Sequence, residues 1–151
     1  ASVVVHCLEA AYLQQGKNPA ILGAWGLTRW LTDSLQEPLL ARFHYQPVEA
    51  DVLVREKMDL QALGCNGYIL HTPGHTLGSV SVIVDDEIAL VGDTLFGVFP
   101  GTAFPPFLQD PGLLLQSWAK LLQTPCSLFL PAHGRPRNRE LVQRCYDKRS
   151  R

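Results

Sequence analysis

Three short apolar runs in this chain each give way to a glycine-flanked residue that can bind a metal. That repeated pattern restricts the fold more than any other feature. Tyr68-Ile69-Leu70 leads into His71-Thr72-Pro73-Gly74-His75-Thr76-Leu77-Gly78-Ser79, Ile88 to Val91 ends at Gly92-Asp93-Thr94-Leu95-Phe96, and Ser127 to Leu130 ends at Pro131-Ala132-His133-Gly134. Apolar runs of this length, bounded by glycine and proline, read as strands. Strand exits are where a sheet presents side chains to a site, because the sheet fixes the backbone while the loop leaves room for approach. Imidazole and carboxylate together suit zinc, iron or manganese. Singly, each residue has a plain structural reading: His75 and His133 as turn histidines beside glycine, Asp93 as a capping or turning carboxylate. Their joint occurrence, with Gly74, Gly78, Gly92 and Gly134 allowing close backbone approach, points to a site built from His75, Asp93 and His133.

The rest of the chain supplies strands and helices in alternation. Val3 to Val5 is a short β-branched run, followed by a short helix ending near Gly16. Ala20 to Trp30 and Ser34 to Phe43 are helical candidates in a loop-rich region. Val52 to Val54 and Ser79 to Val84 read as strands, with Asp85-Asp86 as a hairpin turn. Asp110-Pro111 starts a helix, since the carboxylate can cap exposed amides and proline at the first position has no amide to lose. That helix runs to about Leu122 with Leu114, Trp118, Leu121 and Leu122 on one face, and Asn138 caps a last helix to about Tyr146. The pattern is α/β or α+β. A length of 151 residues with 46% hydrophobic and 18% charged content gives one domain, residues 1–151, with apolar material for one core.

Charge and composition narrow the function classes. The net charge is −1 and no segment clusters enough basic residues to displace counterions from a phosphate backbone, so nucleic acid is not an expected partner. The one dense basic stretch, Arg135 to Arg151, reads as the solvated face of a terminal helix. No run approaches the roughly 20 apolar residues needed to cross a bilayer, so a membrane is not expected either. Cys7, Cys65, Cys126 and Cys145 form no Cys-x-x-Cys pair and read as buried thiols of a reducing compartment, with the cytoplasm as default. Among the other histidines, His71 reads as structural or as support for a ligand, His6 as a satisfied strand-end residue or a pocket lining, and His44 as a surface or packing residue. Phe96 to Phe107 reads equally as a substrate-facing lid and as a stiff core-capping loop.

The string HTPGHTLGS, then a hairpin and GDTLF, then a helix, a strand and PAHG, resembles the metallo-β-lactamase superfamily, which includes β-lactamases, glyoxalase II-type thioesterases, lactonases and di-iron oxygenases. The resemblance runs from about Tyr68 to Pro136. It implies an αββα sandwich with a dinuclear metal site at one sheet edge. There His75 would bind the first metal, Asp93 would bridge both, His133 would bind the second, and Gly74 and Gly78 would shape the turn. The family's His-x-His-x-Asp-His segment, which normally precedes HTPGHT, is absent: upstream of His75 stand only His6, His44 and His71, without that spacing. The chain is therefore expected to be the C-terminal portion of such a domain, incomplete at its N-terminus. Two zinc ions per complete domain are expected, with iron or manganese as alternatives, and a small molecule as substrate. The implied function is hydroxide attack on an ester, thioester or lactone, with this chain alone inactive and binding zinc incompletely. The competing readings are a non-catalytic or degenerate half-domain that acts by association, and an iron-dependent oxidoreductase on the same fold. A homodimer or an N-terminal fragment would cover the exposed sheet.

Overall fold

The computed structural model describes residues 2–24, 26, 30 and 45–150. Its centre is a six-stranded mixed sheet in the order β10-β9-β7-β6-β5-β4. The strands are β4 (Lys57–Asp59), β5 (Gly67–His71), β6 (Val80–Val84), β7 (Ile88–Gly92), β9 (Leu128–Pro131) and β10 (Arg137–Asn138). All neighbours are antiparallel except β7 and β9, which run parallel. A parallel pair needs a crossover connection, and here it contains helix α2 (Pro111–Gln123). Helix α3 (Arg139–Asp147) follows β10 directly. Two small sheets complete the described elements: β1 (Val4–His6) pairs in parallel with β3 (Val52–Val54), and β2 (Leu22–Gly23) pairs antiparallel with β8 (Phe107–Leu108). Helix α1 (Ala10–Gln15) lies between β1 and β2 and ends on Gly16 in the left-handed conformation.

The alternation of side chains along a strand decides which face is buried against what. Ile83, Ala89, Val91 and Phe129 turn to one face and pack with Leu114, Trp118 and Leu121 of α2 and Val142 and Cys145 of α3. Each fully buried valine, leucine, isoleucine or phenylalanine among them contributes roughly 1.5–3 kcal/mol relative to exposure. On the opposite face Val80 and Val82 pack with Ile69, Met58, Val54 and Val4 in a smaller cluster.

Most of the expected elements are present, two expectations about them change, and one lies outside the described residues. The helical candidate Ala20 to Trp30 includes β2 at Leu22–Gly23, where pairing with β8 overrides the local pattern. Ser34 to Phe43 lies outside the described residues, as does His44. The basic stretch from Arg135 is not simply a solvated helix face. Arg137 is 8% exposed, and the Arg139 guanidinium donates to the carbonyls of Leu122, Thr124 and Cys126. Arg139 thereby takes up carbonyls at and just beyond the end of α2, which the helix itself leaves without donors. All four cysteines are free thiols, but only Cys126 and Cys145 are buried as expected, whereas Cys7 and Cys65 are half-buried. Among the described residues no helix is long and apolar enough to cross a membrane.

Candidate metal centre

His75, Asp93 and His133 come from the loops after β5, β7 and β9, and the fold brings them together beside one end of the sheet. His75 Nε2 lies 3.8 Å from Asp93 Oδ2, and His133 Nε2 lies 3.8 Å from Asp93 Oδ1. One carboxylate therefore stands between two imidazoles, with a different oxygen facing each. His75 Nδ1 is 2.9 Å from the Phe107 carbonyl, an acceptor only, so Nδ1 carries the proton and donates. In the neutral ring Nε2 then presents a lone pair toward the carboxylate. At 3.8 Å neither pair is a hydrogen bond. Asp93 Oδ1 is buried and has no hydrogen-bond partner among the described residues. An orphaned buried acceptor costs roughly 1–3 kcal/mol, more when charged, so the arrangement favours a cation between these atoms.

The donor set fits a metal on distance and chemistry. Ligands about 2.0–2.2 Å from a zinc ion lie about 3.4 Å apart at the tetrahedral angle and farther apart at wider angles, which spans the observed separations. Among the described residues no three His, Cys, Asp or Glu side chains close on a single point. The geometry agrees with that, because it is two imidazole–carboxylate pairs sharing one aspartate rather than a three-ligand cage.

Each ligand candidate is held by its surroundings. The loop carrying His75 leans on the start of α2. Ser117 Oγ donates to the Pro73 carbonyl at 2.6 Å, and the Gln109 and Asp110 amides donate to the Gly74 carbonyl. Gly74 has φ 136°, and a Cβ there would sit 2.4 Å from the Leu114 backbone, so any side chain would force the helix away. Beneath Asp93, the Trp118 indole N–H donates to the Thr94 carbonyl at 2.7 Å, and Thr94 Oγ1 donates to the Thr72 carbonyl at 3.3 Å. These buried links tie the Asp93 turn to both the His75 loop and α2. The His133 side chain is 62% exposed, with its ring 5.8 Å from that of Phe96. Gly134, at φ 89°, passes so close to Gly97 that a Cβ would fall 2.2 Å from the Gly97 carbonyl carbon.

The other histidines do not join this group. His6 and His71 stack on each other, with ring centroids 3.8 Å apart and planes 16° from parallel. His71 Nε2 donates to the Leu77 carbonyl, so its role is to brace the turn that follows His75. The segment Phe96 to Phe107 divides. Ala103, Phe104 and Pro105 are buried, Phe104 against the edge of Trp118, whereas Val98 and Phe99 are exposed. The sequence reading missed Arg137 and the Thr72–Thr94–Trp118 links. No local signal marked Arg137, whose burial follows from its pairing with Phe129 across β9 and β10.

No protein-family model matches the sequence. A hydroxyacylglutathione hydrolase from Shewanella loihica is 35% identical over 78 residues, covering 52% of this chain and 29% of that protein. In structure, the BLEG-1 B3 metallo-β-lactamase aligns over 95% of this chain and 62% of its own, with TM-score 0.65 and 25% identity. A protein solved in a di-iron-bound form aligns over 95% of this chain and 63% of its own, with TM-score 0.58 and 20% identity. The chain thus spans under two thirds of the solved chains and under one third of the hydrolase. Mixed sheet, helical layer and sequence likeness together identify this chain as a metallo-β-lactamase-fold protein.

Proposed function

We propose that this chain supplies His75, Asp93 and His133 to a dinuclear metal centre that hydrolyses an ester, thioester, lactone or similar small substrate. His75 would hold one metal, His133 the other, and Asp93 would bridge them. One observation carries the reading: a single carboxylate offers separate oxygens to two imidazoles at 3.8 Å, with Oδ1 buried and without a hydrogen-bond partner among the described residues. Likeness to a hydroxyacylglutathione hydrolase over part of the chain supports a hydrolytic reaction. When bound, such metals lower the pKa of water and polarise a carbonyl. The chain's own residues set the geometry for that chemistry. The Phe107 carbonyl fixes the His75 tautomer, a constraint typical of ligating imidazoles. Trp118 and Thr94 hold the Asp93 turn, and exposed His133 leaves that side open to substrate. Zinc is the metal first expected from the ligand types, with iron or manganese as alternatives.

Zinc titration followed by histidine-ring NMR tests this. Zinc should shift the His75 and His133 ring signals, and Asp93→Ala should weaken both responses by about tenfold or more. Shifts confined to His6, His71 or the cysteines would overturn the assignment. Stoichiometric iron without ester or thioester hydrolysis in the protein as expressed would favour an oxidoreductase instead.

A further inference from the structure

Next to His133 lies an open cavity of about 360 Å³ lined by Gly97, Val98, Pro100, Arg135 and Arg137. Its size falls at the lower end of small-ligand pockets. Two backbone contacts join it to the candidate centre: the Gly97 amide donates to the His133 carbonyl at 2.8 Å, and the Arg135 amide donates to the Gly97 carbonyl at 3.0 Å. Arg137 is the unusual member. The residue is only 8% exposed, yet the ion pairs of the described residues involve only Glu56 and Asp93 as acids. Nε and Nη2 donate to the Phe96 and Phe99 carbonyls, which fixes the group without neutralising it. A buried cation compensated only by neutral carbonyls is costly, and an anion in contact offsets that cost. Arg135 adds a second guanidinium at the exposed rim of the same cavity.

We propose that this cavity is an oxyanion subsite, which takes a carboxylate or phosphate group of the substrate while the group to be cleaved lies at His133 and Asp93. Guanidinium forks match the planar oxygens of carboxylates and the oxygens of phosphates. Gly134 alone separates His133 from Arg135, so their Cα atoms lie at most about 7 Å apart, and the anion and the scissile group belong to one small substrate. The substrate is therefore an anionic ester or thioester rather than a neutral one. This substrate role rests on the hydrolase reading above. The binding of an anion does not.

The test uses the chain freed of metal with EDTA, titrated separately with acetate and methyl phosphate and followed by amide and guanidinium NMR. Saturable shifts are expected at Gly97, Val98, Arg135 and Arg137. Arg135→Ala, whose side chain supports no other described contact, should weaken binding by about fivefold, and Arg135→Lys should weaken it less. The stronger of the two probes identifies the anion class. Linear shifts spread over all basic residues, or unchanged affinity in Arg135→Ala, would overturn the subsite. Because metal is absent throughout, saturable anion binding alongside a failed zinc titration would leave the subsite standing and remove the hydrolase reading. The reverse pair of results would do the opposite.

Discussion

His6 is 3% exposed, and both of its ring nitrogens are engaged. Nε2 donates to the Arg55 carbonyl at 2.6 Å, and Nδ1 accepts from the Leu8 amide at 3.2 Å. That pairing suits the neutral ring alone, because a proton on Nδ1 would face the Leu8 N–H. Burial pushes the His6 pKa below its ordinary 6.5, and the neighbouring His71 pushes it the same way. The Arg55 carbonyl, Glu56 and Glu9 oppose them. The folded state therefore binds fewer protons than the unfolded state just below pH 6.5. Stability is full above that value and falls as pH drops from 6.5 through the lowered folded pKa. Urea unfolding from pH 7.5 downward should show this loss, with a slope of at most about 1.4 kcal/mol per pH unit from one group. His6→Gln should flatten the slope below pH 6.5, and an unchanged slope would assign the titration elsewhere. His75, Asp93 and His133 were legible as a group in the sequence because their motifs carry glycine at fixed neighbours. The His6–His71 stack was not, since it depends on β1 pairing with β3, a contact between residues nearly fifty apart in sequence.

At the scale of elements, α2 was the most readable part of the chain and is also what steadies the His75 loop. Asp110 Oδ1 accepts from the Gly112 and Leu113 amides at 2.8 and 2.9 Å, with Pro111 at the first helical position. Asp110→Ala removes both bonds and should cost about 1 kcal/mol, within the usual range for a lost cap. Asp110→Asn should recover most of that loss in chemical denaturation. Equal loss in both variants would mean that charge at the helix start, not the capping bond, is what matters. The hairpin β6–β7 was equally legible. Asp85 and Asp86 have φ 52° and 54°, left-handed values that aspartate tolerates in turns, within the three-residue connection between paired Val84 and Ile88. Strand β4 and the β2–β8 pair were not legible. Lys57-Met58-Asp59 alternates weakly, and two-residue strands carry no periodicity, so only their partners define them.

At the scale of the whole molecule, the two faces of the central sheet are unequally supported, and the candidate centre depends on the better one. The larger cluster joins Ile83, Ala89, Val91 and Phe129 to Trp118, Leu114 and Leu121, all fully buried. Among the described residues the buried members of the smaller cluster are Val54, Leu60 and Ile69, none of them as fully enclosed. Opening free energy follows buried apolar contact, so cooperative units with fewer such contacts open more often. The β1–β3 pair belongs to the thinner side, with Leu53 exposed, whereas β6, β7 and β9 back onto α2. Amide exchange in the native state should therefore be slowest at the paired amides of Ile83, Ala89 and Phe129, and measurably faster at the β1–β3 pairing. Leu114→Ala should speed exchange in β6, β7 and β9 together, since a cavity in the shared core costs roughly 2–5 kcal/mol, while leaving β1–β3 nearly unchanged. Equal acceleration on both sides would mean that the sheet opens as one unit. In that case the loops bearing His75, Asp93 and His133 would draw their rigidity from the whole sheet rather than from the α2 layer beneath them.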